Sequence, residues 1–460
     1  MRFPLRDLRV ALAVGVAMFV LYNANGREIG TYDTQPTKFA ARELLLRGTL
    51  SLNHVVGAVP QLLDRPGFRI ARDGRYRSAY SPVPAVAAAA VMWPLWATGI
   101  VDIRAPLAPN LMSALSGSFF VALAVALAFL LARLELTRAR AVVVALAFGA
   151  GTGLWSTASQ TVWQHETAIF GLTLAVLCAC LLDRQLSSSE RPNPRVFALC
   201  LLAGLGLGIA GGSRLQLVVA IGVLLAGAFV RGGWRYGVPA ALGTAAILVP
   251  VCLANIQWFG DPLGAAPMLE DLHETVHSTS GSFSLYSGGF TGLLFSPNRG
   301  LLVFSPIVAV AALGVPGLLR ARLQSPLVIC TIAAGAQFTL YASYVVWWGG
   351  HTYGPRYMLD VLPLLLPLAI AGAAAIHGRI QPSVAALALA WSVGVAAIGA
   401  FNHPEGRWNN DPDDVDRHHD RLWAWNDLQI ARAWHAGPSP QNFGLFSRAA
   451  FRVPTEGEGR

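Results

Sequence analysis

The sequence predicts an all-α polytopic membrane protein with about eleven transmembrane helices, and three observations carry that reading. Of the 460 residues, 54% are hydrophobic and 13% charged, a balance that no single water-soluble domain sustains. Apolar runs recur along the chain, each long enough to cross roughly 30 Å of hydrocarbon as a helix. The alternating segments of about ten residues that mark a membrane β-barrel are absent.

The first run, near 8–24, follows Arg2, Arg6 and Arg9 and resembles the core of a signal peptide. No small-residue cleavage site follows it, so it reads as an uncleaved first span. Further spans are expected near 107–132, 141–158, 167–182, 196–211, 215–230, 237–256, 301–319, 326–347, 357–376 and 383–401. The connections alternate in charge. Arg133/Arg138/Arg140, Arg184/Arg191/Arg195, Arg231/Arg235, Arg320/Arg322 and Arg379 fall in every second one, which places those connections and the N-terminus in the cytoplasm.

One apolar stretch, 82–100, would invert every later connection if it spanned. Its prolines Pro82, Pro84 and Pro94 suit a re-entrant or surface-lying helix, with backbone that only protein or a water-filled cavity could satisfy. Residues 1–401 are then one membrane domain, with 26–106 as a long first outer loop. Residues 402–460 form a polar, tryptophan-rich tail on the outer face, in which Trp423 and Trp425 serve as packing or interfacial anchors.

The formal charge of +9 raises nucleic acid as a partner. The arginines, however, are scattered between apolar runs and form no basic stripe, so no nucleic-acid binding is expected. Lys38 is the sole lysine among abundant Arg, Ala, Gly and Pro, a bias that points to a bacterial plasma (inner) membrane. Cys178, Cys180, Cys200, Cys252 and Cys330 all lie in apolar runs, away from partners at metal-ligand spacing.

Charged residues are missing from the middles of the spans, which disfavours a proton-coupled or ion-coupled transporter. Polar clusters sit instead at the outer ends: Asp33 with Lys38 and Arg42, "SQTVWQHETAIF" (159–170), "GGSRLQ" (211–216), "FSPNRGLLVFSP" (295–306) and "WWGGHTYGPRYMLD" (347–360). Five connections thus offer polar groups to one water-facing cavity. Arg214, Arg299 and Arg356 stand where the charge bias selects against basic residues, and a bound phosphate would account for them. Each also has a plainer reading. Arg356 pairs with Asp360 four residues on, Arg299 is a helix-start loop residue, and Arg214 snorkels to the interface.

Glu166 suits the first turn of a helix on dipole grounds alone, and His165 and His351 are sugar or acceptor contacts or structural histidines. Tyr353 and Tyr357 complete the candidate contacts for a sugar or acceptor. Asp33 has two readings. It caps a helix whose first turn holds Pro36, or it is a general base at a shielded membrane surface, a role worth about 10²–10⁴ in rate.

The order of first span, outer loop with an acid, "SPVPA" entering a non-spanning helix and a span ending in arginines resembles the GT-C superfamily of membrane glycosyltransferases. Its nearest branch is the protein mannosyltransferase and lipid A aminoarabinose transferase type. "YDTQPTKFAARELLLRGTLSLN", "TVWQHE", "LLFSPNRGLLVFSP" and "WWGGHTYGPRYMLDVLPLL" look like those of uncharacterised bacterial members.

The resemblance covers most of 1–401 and implies a GT-C-like fold. It implies inverting transfer of a sugar from a polyprenyl-phosphate donor in the membrane lipid to an acceptor on the outer face, with Asp33 as base. Glu166 matches a second acid loosely, and some of Lys38, Arg214, Arg299 and Arg356 match groups that hold the lipid phosphate. Where the well-known branches carry an acidic pair, this chain has Asp33 alone, with Glu28 five residues earlier. No cofactor is called for, and a divalent metal is not indicated. The alternatives are a lipid or glycan transporter and a non-catalytic membrane partner in envelope polysaccharide assembly.

Overall fold

Proline and serine punctuation sets where many of the helices begin. The computed structural model describes residues 3–65, 67–186, 194–269 and 281–452. Helix α1 (Leu5–Tyr22) leads into the first loop, which holds α2 (Gln35–Arg47), α3 (Asn53–Ala58), a small hairpin of β1 (Phe68–Ile70) and β2 (Tyr76–Ser78), and α4 (Pro82–Ala97). The strands are antiparallel, with Arg69 opposite Arg77. Helix α4 starts on Pro82, whose missing N–H costs nothing in the first turn, after Ser81 accepts the Val83 amide.

Among the described residues the bundle and its outer fringe continue with α5 (Ala108–Arg133), α6 (Arg138–Ala150), α7 (His165–Leu186), α8 (Pro194–Ser213), α9 (Val218–Gly232), α10 (Trp234–Phe259), α11 (Gly289–Phe295), α12 (Leu301–Phe304) and α13 (Val315–Arg320). They are followed by α14 (Pro326–Ser343), α15 (Leu362–Ala375) and α16 (Ile380–Asn402), and the tail carries α17 (Gln429–Ala436) and α18 (Arg448–Phe451). The chain is a multi-pass α-helical membrane protein. Among the described residues, seven helices are long and apolar enough to cross a membrane, counting 215–232 as one. Three more apolar helices, α4, 306–320 and α15, are shorter.

The expected eleven spans therefore do not all appear as full-length helices, and proline and glycine explain most of the differences. The run at 301–319 divides into α12, a 3₁₀ stretch over Pro306–Gly314, and α13, because Pro306 has no amide to continue the ladder. The run at 141–158 ends as α6 at Ala150 and resumes as a π-helical turn over Leu154–Ala158. The run at 357–376 opens as a 3₁₀ turn, Arg356–Asp360, before α15. Helix α1 carries Arg6, Asp7 and Arg9 within its first turns.

The apolar segment 82–100 is built into the protein. Helix α4 packs on α2, α5 and α8, and Ala85, Ala88 and Met92 join a core with Ala41, Leu52 and Phe68 of the first loop. The main core joins α1, α5, α6, α7, α8, α9, α14 and α15. Helices α8 and α10 approach closely at Gly204, where a Cβ would collide with the Ala240 carbonyl.

The arginine-rich connections gather at one end of the bundle and are tied by ion pairs: Asp7 to Arg133 at 3.2 Å and Arg138 at 2.8 Å, Glu135 to Arg184 at 2.8 Å, and Asp183 to Arg231 at 2.7 Å. Arg191 lies outside the described residues. The opposite end carries the first loop and the tail. There the Phe443 and Leu445 amides bond to the carbonyls of Asn25 and Gly26, and the Asp102 amide bonds to that of Phe451.

Candidate functional site

Asp33 sits in a 3₁₀ turn, Tyr32–Thr34, just before α2. The Thr34 hydroxyl closes that turn, accepting from the Thr31 amide at 3.2 Å and donating to its carbonyl at 2.9 Å. Helix α2 has no side-chain cap, since its N-cap Thr34 is spent on that turn, and the Asp33 carboxylate points elsewhere. Its Oδ1 accepts from the Tyr80 hydroxyl at 2.9 Å, and its Oδ2 lies 3.6 Å from Nη1 of Arg356. Burial, and then the Asp33 carboxylate, push the Tyr80 phenol well up, so it remains a donor. The Asp33 side chain is 47% exposed.

Arg356 comes from the far end of the sequence. Its guanidinium lies over the Trp163 ring at 4.9 Å and the Tyr357 ring at 5.5 Å, and its Nε is buried without a hydrogen-bond partner. The plainer alternative, pairing with Asp360, does not form. Residues 356–360 are a 3₁₀ turn, in which positions four apart do not stack as they do on an α-helix.

Asp360 is instead the hub of a buried network behind that wall. Its Oδ1 meets His165 Nδ1 at 2.8 Å, and its Oδ2 takes the Tyr341 hydroxyl at 2.7 Å and pairs with Arg214 Nε at 2.8 Å. Arg214 Nη1 lies 3.2 Å from His165 Nε2. One tautomer serves both contacts, with Nδ1–H donating to the carboxylate and Nε2 accepting from the arginine. The Tyr341 ring stacks on Tyr357 at 5.1 Å, so the hub supports one of the two rings under Arg356. Arg214 is 6% exposed; it is sunk in protein and does not snorkel.

The remaining candidates divide by what holds them. Lys38 pairs with Glu28 at 2.6 Å and donates to Asn110 at 2.9 Å. Glu28 also takes the Thr161 hydroxyl at 2.8 Å, so it forms no acidic pair with Asp33. Arg299 is fully buried and places all five donors: on the carbonyls of Asn298, Trp348 and Gly350 and on the side chains of Gln429 and Asn409. Burial pushes it down to about 9, with Asp416 opposing the shift.

Tyr353 is a core residue, packed edge-on against Phe304 and donating to the Val395 carbonyl. Glu166 is fully buried. The amides of Trp163 and Gln164 lie beside its carboxylate, but neither oxygen has a partner in hydrogen-bond geometry. His351 Nε2 lies 2.8 Å from Asp414 and 3.3 Å from Asp416. Among the described residues these three form the group able to hold a metal ion, with ligand atoms within 4.8 Å of one another; they join the 347–360 connection to the tail.

Tyr80, Trp163 and Tyr341 are site residues that the sequence reading left out. Tyr80 precedes the "SPVPA" motif and Trp163 lies inside "TVWQHE", so the motifs held the signal. Tyr341 sits within a span, and only the three-dimensional arrangement brings it to Asp360.

No family model and no curated protein matches the chain. Solved structures are similar over nearly all of it, two of them as follows. ArnT from Cupriavidus metallidurans, bound to undecaprenyl phosphate, shares 14% identity over 93% of this chain and 77% of its own, with a TM-score of 0.52. The archaeal oligosaccharyltransferase AglB from Archaeoglobus fulgidus, in complex with an inhibitory peptide and a dolichol-phosphate, shares 15% identity over 91% of this chain, with a TM-score of 0.50. The chain spans 60% of that protein's length. At such identity the likeness is one of fold, and the chain has the fold of the GT-C membrane glycosyltransferases.

Proposed function

We propose that this protein is an inverting glycosyltransferase of the extracytoplasmic face of a bacterial inner membrane, moving a sugar from a polyprenyl-phosphate donor to an acceptor hydroxyl. The observation that carries this reading is the meeting of Asp33 and Arg356 at 3.6 Å, from connections more than 300 residues apart, at the end of the bundle opposite the arginine clusters. The ArnT and AglB structures above each hold a polyprenyl-type lipid phosphate.

A sugar ring does not fit between groups 3.6 Å apart. Inverting enzymes of the glycosidase type hold their two catalytic groups about 6.5–9.5 Å apart to admit a nucleophile. The donor phosphate therefore competes with Asp33 for Arg356. When it wins, the guanidinium swings to the phosphate and Asp33 is freed. Asp33 then takes the proton of the acceptor hydroxyl as that oxygen bonds to the anomeric carbon. The anomeric carbon–oxygen bond to phosphate breaks on the opposite side, and its electron pair leaves with the phosphate. Arg356 stabilises the charge gathering there, and a phosphate leaving group needs no proton. Lys38 and Arg299 have their own partners, and Arg214 acts through Asp360.

Asp33→Asn in purified, folded protein tests the reading. With lipid-linked sugar donors, turnover falls by about 10²–10⁴ while donor binding persists. Retained turnover removes Asp33 from the base role.

One observation favours a transporter as a second reading. A cavity of about 460 Å³ opens at the arginine-rich end, lined by Leu131, Glu135, Asp183, Arg184, Ser325 and Pro367 among others. Passage of donor lipid across proteoliposomes with no acceptor present would support it; absence of that flux together with sugar transfer rejects it.

A further inference from the structure

The connection that delivers Arg356 has little structure of its own. Between Trp348 and Arg356 it contains Gly349, Gly350 and Gly354, with φ of +76°, +70° and +71°, the left-handed region that side chains other than glycine's disfavour. Such a segment needs outside partners for its polar groups, and the tail provides them.

Gln429, the first residue of α17, is 2% exposed. Its Oε1 accepts the Gly354 amide at 3.0 Å and Arg299 Nη1 at 2.8 Å, and its Nε2 donates to the Thr352 carbonyl at 2.7 Å. Its own amide is held by Asn298 Oδ1 at 2.7 Å. Arg299 meanwhile binds the Trp348 and Gly350 carbonyls at 3.1 and 3.2 Å. The connection is thus gripped at 348, 350, 352 and 354, the last grip two residues before Arg356.

Further along the tail, the Phe443 and Leu445 amides hold the carbonyls of Asn25 and Gly26 at 2.7 and 2.8 Å, on the strand of chain that leads to Asp33. The Arg27 guanidinium binds the carbonyls of Ala400 and His403, where the tail departs. One segment therefore fixes both chains that carry the candidate site.

We propose that the C-terminal segment is a strap that sets Arg356 against Asp33, and that Gln429 is its positioning residue for phosphate capture. The proposal rests on the reading of Arg356 as the phosphate group, and the test separates the two. Full-length protein in detergent is titrated with undecaprenyl phosphate, with thermal unfolding followed in parallel.

Arg356→Ala and Gln429→Ala each weaken binding by roughly tenfold, and the double variant binds no more weakly than Arg356→Ala alone. Asn442→Ala removes a tail bond to the Phe401 carbonyl, a bond that holds neither residues 348–356 nor Asn25 and Gly26, and binds as the unaltered protein does. Should Gln429→Ala fail to fold, Gln429→Glu keeps both acceptor contacts, loses the Nε2 bonds to Thr352 and Asn409, and weakens binding several-fold.

Unchanged binding by Arg356→Ala defeats the phosphate reading itself. Weakening by Arg356→Ala with unchanged binding by the Gln429 variants overturns the strap alone. So do fully additive losses in the double variant, or an equal loss in Asn442→Ala, which would mark a general loosening.

Discussion

Asp33 and Asp360 are both paired with arginine, yet they hold opposite positions in the energetics of the molecule. Asp33 is half exposed and meets Arg356 loosely, at 3.6 Å, and such a pair contributes about 0–1 kcal/mol. Asp360 is fully buried and holds Arg214, His165 and Tyr341 within 2.8 Å. Removing one partner of such a network strands a buried charge, at a cost of about 3–5 kcal/mol. Asp360→Ala should therefore unfold at a clearly lower temperature than the unaltered protein, whereas Asp33→Asn should unfold within about 1 kcal/mol of it. Tryptophan fluorescence during heating in detergent checks both, and an equal loss in Asp33→Asn would place Asp33 in the scaffold. Sequence alone named Asp33, Arg356 and Asp360, and the pairing it offered for the last two as the plainer alternative fails because an i, i+4 spacing presumes an α-helix where a 3₁₀ turn forms.

At the scale of elements, the Lys38–Glu28 pair joins the first loop to α5 through Asn110 and to the turn before α7 through Thr161. Its side chains are 9% and 5% exposed, so the lysine is a strut between elements. Lys38→Met should lower the unfolding temperature and leave undecaprenyl phosphate affinity unchanged, and adding Glu28→Gln should restore much of the loss by removing the stranded carboxylate. A weaker affinity at unchanged stability would make Lys38 a phosphate contact instead.

Most element positions were legible because apolar runs and prolines are local signals. The hydrophobic stretch 165–186 and the Pro82 and Pro326 starts needed nothing else. The breaks inside 301–319 and 141–158 were less legible. A proline or glycine in an apolar run is compatible with a kinked span as well as a broken one, and packing by distant helices decides between them. Tail contacts such as Gln429 to Gly354 link residues 75 apart, and no spacing rule reaches that far.

For the whole molecule, the alternation of arginine-rich and polar connections produced two chemically distinct ends, and the fold keeps them apart. If the polar end faces outward, Tyr286→Cys, at a position 97% exposed in the connection before α11, should react with a membrane-impermeant maleimide on intact cells. Arg322→Cys, between α13 and α14, should react only after lysis. The reverse pattern would invert the orientation.

The central claim is that lipid phosphate is captured by Arg356 at the Asp33 end. The most direct measurement is a structure determined with undecaprenyl phosphate bound. The account predicts phosphate density against the Arg356 guanidinium, beside Trp163, with the Asp33 carboxylate released from Arg356 and still bonded to Tyr80. Phosphate seated at the opposite end beside Arg184, with the Asp33–Arg356 pair intact, would contradict it.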